Sequence, residues 1–228
     1  MILAGIQKMT LLDFPGRVAC ILFTGGCDFR CPFCHNASLV KAGTSSIEVG
    51  ELYAFLYRRK PMLDGVVITG GEPLLHPDLA ALIKPIRGMG YQIKLDTNGH
   101  HPDRLEALLE EKLIDYAAMD IKNSPERYAD TSGLVMADMK KIERSIQLLM
   151  TRAPDYEFRT TVVREFHDEA SLIAAAEMIR GAKRYFLQSY RDSGDILAGS
   201  FNAYSPEEMT LMLDSVKSII PSAELRGI

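Results

Sequence analysis

The chain has 228 residues, of which 47% are hydrophobic and 25% charged, and a formal net charge of -4. That length holds one large domain or two small ones, and the mildly acidic balance excludes a broad basic face for nucleic acid. No apolar run approaches the ~20 residues of a membrane helix; the apolar N-terminal stretch is interrupted by Lys8, Asp13, Pro15 and Arg17, unlike a signal peptide. A cytoplasmic protein with no nucleic-acid or membrane partner is expected.

Residues 1–16 read as a strand and a turn, with "DFPG" setting the turn through Pro15 and Gly16. "RVACILFT" (17–24) reads as a buried strand. A helix follows in "SSIEVGELYAFLYRRKPML", with Ser45 and Glu48 spaced as a capping box and Leu52, Phe55 and Leu56 on one face. "GVVITG" (65–70) is a second buried strand, and "HPDLAALIKPIRGMG" a helix that Pro85 is expected to bend or interrupt. "YQIKLDTNG" (91–99), "IDYAAMDIK" (114–122), "YEFRTTVV" (156–163) and "RYFLQSY" (184–190) read as further strands. Helices read between and after them over 101–113, 136–152, 168–182 and 205–220, the last with Ser205 as N-cap and Pro206 at its first position.

Strands alternating with helices along the whole chain imply βαβ units and a parallel sheet. Apolar strands without period-2 alternation fit burial on both faces. A closed eight-unit barrel takes ~250 residues, so six units predict an α/β partial, three-quarter (βα)6 barrel: one domain over residues 1–228, with 1–16 preceding the barrel. The polar motifs all follow strands or end them, so they converge on the rim at the C-terminal strand ends, where such folds place their sites.

Three of the four cysteines, Cys27, Cys31 and Cys34, lie in "CDFRCPFC". A Cys31–Cys34 dithiol would leave Cys27 without a role, and structural zinc wants a second ligand pair that the chain lacks. An iron–sulfur cubane ordinarily takes four thiolates; three leave one iron to a non-protein ligand, unless His35 folds back to supply the fourth. Cys20, inside the first buried strand, reads as a small hydrophobe. His76, His100, His101 and His167 are assigned to turns and helix starts, and the methionines to packing.

This cysteine loop after a first strand, with Phe33 before the last cysteine, resembles the radical S-adenosylmethionine (SAM) superfamily. The resemblance implies a [4Fe-4S] cluster on Cys27, Cys31 and Cys34, with SAM chelating the open iron through its amino and carboxylate groups. One electron then cleaves SAM to methionine and a 5′-deoxyadenosyl radical. "TGGEP" matches the motif that holds the SAM amino group: Gly70 and Gly71 let backbone come close to a ligand, and Glu72 can accept from an ammonium.

"DTNG" and "DIK" together resemble a subgroup, the glycyl-radical enzyme activases. That likeness puts Asp96, Thr97 and Asp120 around a monovalent cation near the SAM carboxylate, counts Asn98 among the cofactor-binding residues and turns Lys122 toward the reaction. It pairs Arg159 with the SAM carboxylate, against the plainer assignment of an arginine snorkelling at a strand edge. His35 and Asn36 recur in the subgroup and suggest support of the cluster loop. Its sixth-strand histidine has no match here; Gln188 and Tyr190 stand in that region.

The opening "TLLDFPG" and the ending "LRGI" resemble the longer activating proteins of anaerobic ribonucleoside-triphosphate reductases. This implies that reductase as protein substrate and a flavodoxin- or ferredoxin-type electron donor, with Asp13 approaching the cation. Two rivals remain: a radical SAM enzyme of a small molecule or another glycyl-radical enzyme, and an iron–sulfur electron carrier or zinc module.

Overall fold

The structure is a computed structural model that describes residues 1–41, 43 and 46–227. Its strands are β1 (Leu3–Thr10), β2 (Ala19–Thr24), β3 (Gly65–Gly70), β4 (Gln92–Thr97), β5 (Tyr116–Asp120), β6 (Tyr156–Val162), β7 (Tyr185–Ser189) and β8 (Ala223–Arg226). They lie side by side in chain order. β1 runs antiparallel to β2, and every later neighbour pair is parallel. β1 and β8 are the two ends of this order, so the barrel is partial, as expected.

The expected strands all form. β8 is an addition: four residues near the end of the chain, too short to carry a pattern, pair with β7 from Tyr185↔Ala223 to Gln188↔Arg226. The helices are α1 (Ala37–Val40), α2 (Val49–Arg59), α3 (Leu79–Gly88), α4 (Pro102–Glu110), α5 (Tyr128–Ser132), α6 (Met139–Arg152), α7 (Glu169–Met178) and α8 (Pro206–Lys217). Ser205 caps α8 in a reciprocal box with Glu208, and Asp168 caps α7 with Ser171. The proposed capping residue Ser45 lies outside the described residues; Glu48 is the N-cap of α2. α3 continues through Pro85 to Gly88, with one helix hydrogen bond missing for want of the proline N–H.

The strands are buried on both faces because two cores flank them. Cys20, Leu22, Val66 and Ile68 face the helix layer. Their neighbours Ala19, Ile21 and Val67 point the other way, into the barrel, with Tyr116 and Phe14. Phe14 comes from the "DFPG" turn, closed by Arg17 N–H donating to the Phe14 carbonyl at 3.1 Å and by Gly16 at φ +68°. Its ring is 4% exposed and plugs the N-terminal end of the barrel. A Cβ on Gly65 would stand 2.8 Å from that ring, so the plug requires glycine there.

Phe14→Ala should therefore cost about 3 kcal/mol of stability in urea unfolding; a loss under about 1 kcal/mol would mean that the ring is not the plug.

Candidate active site

The C-terminal ends of β2 and β3 approach more closely than side chains allow. A Cβ on Gly71 would fall 1.9 Å from the Gly26 carbonyl oxygen, and one on Gly70, at φ +115°, 2.5 Å from the Thr24 backbone. Gly71 N–H donates to Thr24 O and Glu72 N–H to Gly26 O, each at 2.8 Å. The paired glycines thus serve a backbone-to-backbone contact that fixes where the cysteine loop leaves β2.

That loop is pinned from several sides. Arg30 N–H donates to Ser132 O at 2.8 Å, and a His76 ring nitrogen bonds Gly25 O at 2.9 Å. Phe33 packs its ring 5.4 Å from Phe166 and 6.4 Å from Phe201. The segment after β7 also crosses the loop: Ala198 N–H donates to Pro32 O at 3.1 Å, and the Asp195 carboxylate takes the Ser38 hydroxyl at 2.7 Å. Asp28 accepts from Asn98 Nδ2 at 2.9 Å and lies 2.6 Å from His100 Nδ1 and 3.2 Å from His101 Nε2. Burial opposes the Asp28 charge, but these partners hold its carboxyl well below the usual range. Asn98 and His100 bond this one carboxylate and tie the cysteine loop to the β4–α4 turn; His101 Nε2 lies beside it without a hydrogen bond of its own. His101 is also the N-cap residue of α4.

A cavity of about 400 Å³ opens beneath the loop. Cys27, Cys31, Cys34, Phe33, His35 and Asn36 line one side; Gly70, Gly71, Asp96, Thr97, Asn98, Asp120, Lys122, Arg159 and Gln188 line much of the rest, and Gln7, Asp13, Ile21 and Val67 are also on its wall. So the tertiary fold brings together nearly every residue singled out from the sequence.

Among the described residues the three thiols do not gather within the 4.8 Å that a single ion would require. This spread disfavours mononuclear zinc and fits a larger cluster. Phe29 N–H points at Cys27 Sγ at 3.4 Å. Burial pushes the Cys27 thiol up to about 12 and the Cys31 thiol up to about 11, so a cluster must draw off their protons to bind. Burial lowers the His35 imidazole, leaving a neutral ring. Cys20 is fully buried in the helix-side core, and burial pushes its thiol up to about 12.

Below the cysteines lies a layer of charge. Arg159 spans Asp96, at 3.3 Å, and Asp120, at 3.0 Å; Lys122 adds a 2.9 Å bond to Asp120. Arg159 therefore points into the barrel and does not snorkel at a strand edge. Burial alone would raise both carboxyls, but for Asp96 the charges of Arg159 and Lys94, and for Asp120 those of Lys122 and Arg159, hold them below the usual range.

Glu72, Thr97, Tyr190 and Asp13 each have a placement of their own. Glu72 is fully buried and absent from the cavity wall, which Gly70 and Gly71 form instead. Its Oε1 accepts from Thr97 Oγ1 at 2.8 Å and Leu74 N–H at 3.0 Å, and its Oε2 from Asn98 N–H at 2.7 Å. Thr97 lines the cavity, yet its hydroxyl donates to Glu72. Tyr190 is buried in the aromatic cluster beside Phe201 and not at the cavity. Asp13 bonds Thr10, whose strand partner is Ala19 at the start of β2, and it lines the far end of the same cavity as Asp96 and Asp120.

Lys94, Asp28 and His100 were missed as parts of the site. Lys94 stands two residues before Asp96 and so shares its face of β4, a parity that was legible. No local pattern announces that the two histidines reach back to Asp28.

The chain belongs to the radical SAM superfamily, whose family model matches residues 21–172. Within it the chain is related to the glycyl-radical enzyme activating enzymes. It is 30% identical over 198 residues to a putative glycyl-radical enzyme activating enzyme of Methanocaldococcus jannaschii, covering 83% of this chain and 80% of that protein. It is 36% identical over 124 residues to the pyruvate formate-lyase-activating enzyme of Clostridium pasteurianum, about half of each chain (52% and 51%). With the 7-carboxy-7-deazaguanine synthase of Hyperthermus butylicus it shares 41% over 93 residues, covering 39% and 38%. The fold is that of SuiB from Streptococcus suis bound to S-adenosylmethionine, with a TM-score of 0.70 at 14% identity, over 91% of this chain and 52% of SuiB. No described helix is long and apolar enough to cross a membrane.

Glu72→Ala would strand three buried donors and should cost about 3 kcal/mol or more. Burial pushes the Glu72 carboxyl up to about 7 from 4.5, although its hydrogen bonds favour the charge. A raised carboxyl contributes stability that is whole below about 4.5 and lost as pH rises through about 7. Thermal melts should therefore show a wider gap between wild type and Glu72→Ala at about pH 5.5 than at about pH 8; the reverse order would contradict the assigned titration.

Proposed function

We propose that this protein activates an anaerobic ribonucleoside-triphosphate reductase by generating a glycyl radical on it. Cys27, Cys31 and Cys34 would hold a [4Fe-4S] cluster, and the cluster with bound SAM would supply the 5′-deoxyadenosyl radical that takes a hydrogen atom from a glycine Cα. Arg159 and Lys122 offer guanidinium and ammonium donors to the SAM carboxylate. Gly70 and Gly71 offer bare backbone to its amino group, and Glu72 holds that backbone in place from behind.

The observation that carries this is the single cavity in which the three cysteines stand over the Asp96–Arg159–Asp120–Lys122 layer. It occurs in a chain similar along most of its length to a putative glycyl-radical enzyme activating enzyme. The choice of reductase rests on "TLLDFPG", whose Phe14 closes the barrel floor. An unclosed barrel, with β1 and β8 unpaired to each other, suits a protein loop as substrate, and a flavodoxin- or ferredoxin-type protein is the electron donor that such chemistry calls for.

Two of the similarities favour other substrates. The likeness to a pyruvate formate-lyase-activating enzyme points to a different glycyl-radical enzyme, and that to a deazaguanine synthase points to a small molecule. An EPR experiment separates them. Reduced, anaerobically reconstituted protein mixed with SAM and the host's anaerobic reductase should give a glycyl-radical doublet that is absent without SAM. Formation of 5′-deoxyadenosine without the doublet would transfer the assignment to another substrate. In the same assay Cys31→Ser should abolish SAM cleavage and Cys20→Ser should leave it nearly unchanged; full activity of Cys31→Ser would sink the cluster assignment.

A further inference from the structure

At Asp96 and Asp120, whose oxygens an inorganic cation would use, each carboxylate oxygen already accepts from a cationic donor. Asp96 accepts from Lys94 on Oδ1 and from Arg159 on Oδ2; Asp120 accepts from Arg159 on Oδ1 and from Lys122 on Oδ2. The Thr97 hydroxyl donates to Glu72 and accepts from Gly99 N–H. An ion there would sit against Lys94, Lys122 and Arg159 or displace one of them, so the residues present fit a monovalent ion poorly.

Lys94 explains how the chain does without one. It is 2% exposed, and its ammonium stands against Asp96. Its β-register partners are Val67 and Tyr116 of the apolar floor, and its ammonium lies 5.8 Å from the Tyr116 ring. The alkyl stem thus rises from the plug layer and delivers one positive charge to the back of Asp96, which lines the cavity while Lys94 itself does not. A buried lysine is expensive unless paired, and Asp96 is its pair. Behind it Glu157 is held by Arg226 at 2.9 Å. Among the described residues, Asp96, Asp120 and Glu157 face Lys94, Lys122, Arg159 and Arg226: three carboxylates against four cations. Asp13 lies at the far end of the same cavity, beside Thr10. Around Asp96 and Asp120 themselves, two carboxylates meet Lys94, Lys122 and Arg159, an excess of one positive charge before any ligand binds. A carboxylate ligand balances it, whereas an added metal cation would be repelled.

We propose that the Lys94 ammonium takes the place of an inorganic monovalent cation beneath the SAM carboxylate, so that SAM binding here needs no sodium or potassium. Lys94 is a positioning residue: it holds Asp96, which with Asp120 holds Arg159. This rests on SAM as the ligand of the cavity, and does not depend on which protein receives the radical.

The test is calorimetric titration of SAM into the anaerobically reconstituted holoenzyme in potassium, sodium or choline chloride at equal ionic strength. The dissociation constants should agree within about twofold; binding about tenfold tighter in potassium or sodium than in choline would overturn the proposal. Lys94→Met removes the built-in charge. It should bind SAM about tenfold more weakly in choline and recover in potassium, a rescue that a merely structural residue would not show. A folded Lys94→Met that binds SAM like wild type in choline would also overturn it. If that variant fails to fold, the wild-type salt series decides alone. Absence of SAM binding in every salt would overturn the SAM assignment itself, a failure distinct from cation dependence.

Discussion

The site hangs on one contact between two backbones. β2 and β3 end so close together that Gly71 leaves no room for a Cβ beside the Gly26 carbonyl. From that contact the cysteine loop departs in one direction and the Glu72 turn in the other. Glu72 then locks the turn to the end of β4 through Thr97, Asn98 and Leu74. Asn98 passes the restraint on to Asp28, beside Cys27. One chain of hydrogen bonds therefore joins three strand ends to the loop that would carry the cluster. Three cysteines, of which Cys27 and Cys31 have thiol pKa values raised by burial, cannot organise the loop themselves; the fold has to do it before any metal arrives.

Below that contact the barrel solves a second problem, which is how to keep charge in a cavity over an apolar floor. Its floor is apolar, with Phe14, Ile21, Val67 and Tyr116 excluding water. Carboxylates set above such a floor would be neutralised by protonation if left alone. Lys94, Arg159, Lys122 and Arg226 keep them ionised. Burial makes these ion pairs poor contributors to net stability, so their worth lies in preorganisation: the donors are aimed before a ligand arrives and need not reorganise around it.

The open sheet is the third feature on which function turns. Because β1 and β8 do not pair with each other, the rim has a side from which a large substrate could approach. The segment after β7 crosses to the cysteine loop by way of Asp195, Ala198 and Phe201. Its hydrogen bonds to the loop run through Ser193, Asp195 and Ala198, and Phe201 joins Phe33 and Phe166 as the apolar anchor on that side. Support for the loop thus comes from strand ends far apart in sequence.

What the sequence determined by itself is local or periodic. Three cysteines in eight residues, the glycine pair after an apolar run, and the alternation of strands with helices all survive intact in the structure, because spacing and burial on two faces are properties of short segments. Even the parity that sets Lys94 on the face of Asp96 was there to read. Only the tertiary structure decided direction and depth. In a turn no period dictates where a side chain points, and so Glu72, legible as a site residue, lies behind the wall while its glycine neighbours form it. Strand parity says which residues share a face; barrel closure decides that this face is inside and that Lys94 rises from its floor. Tyr190 went to the aromatic core, and Asp13 to the far end of the cavity, for the same reason. Asp28 meets His100 and His101 across some 70 residues, a distance that only the pairing of β2, β3 and β4 can close.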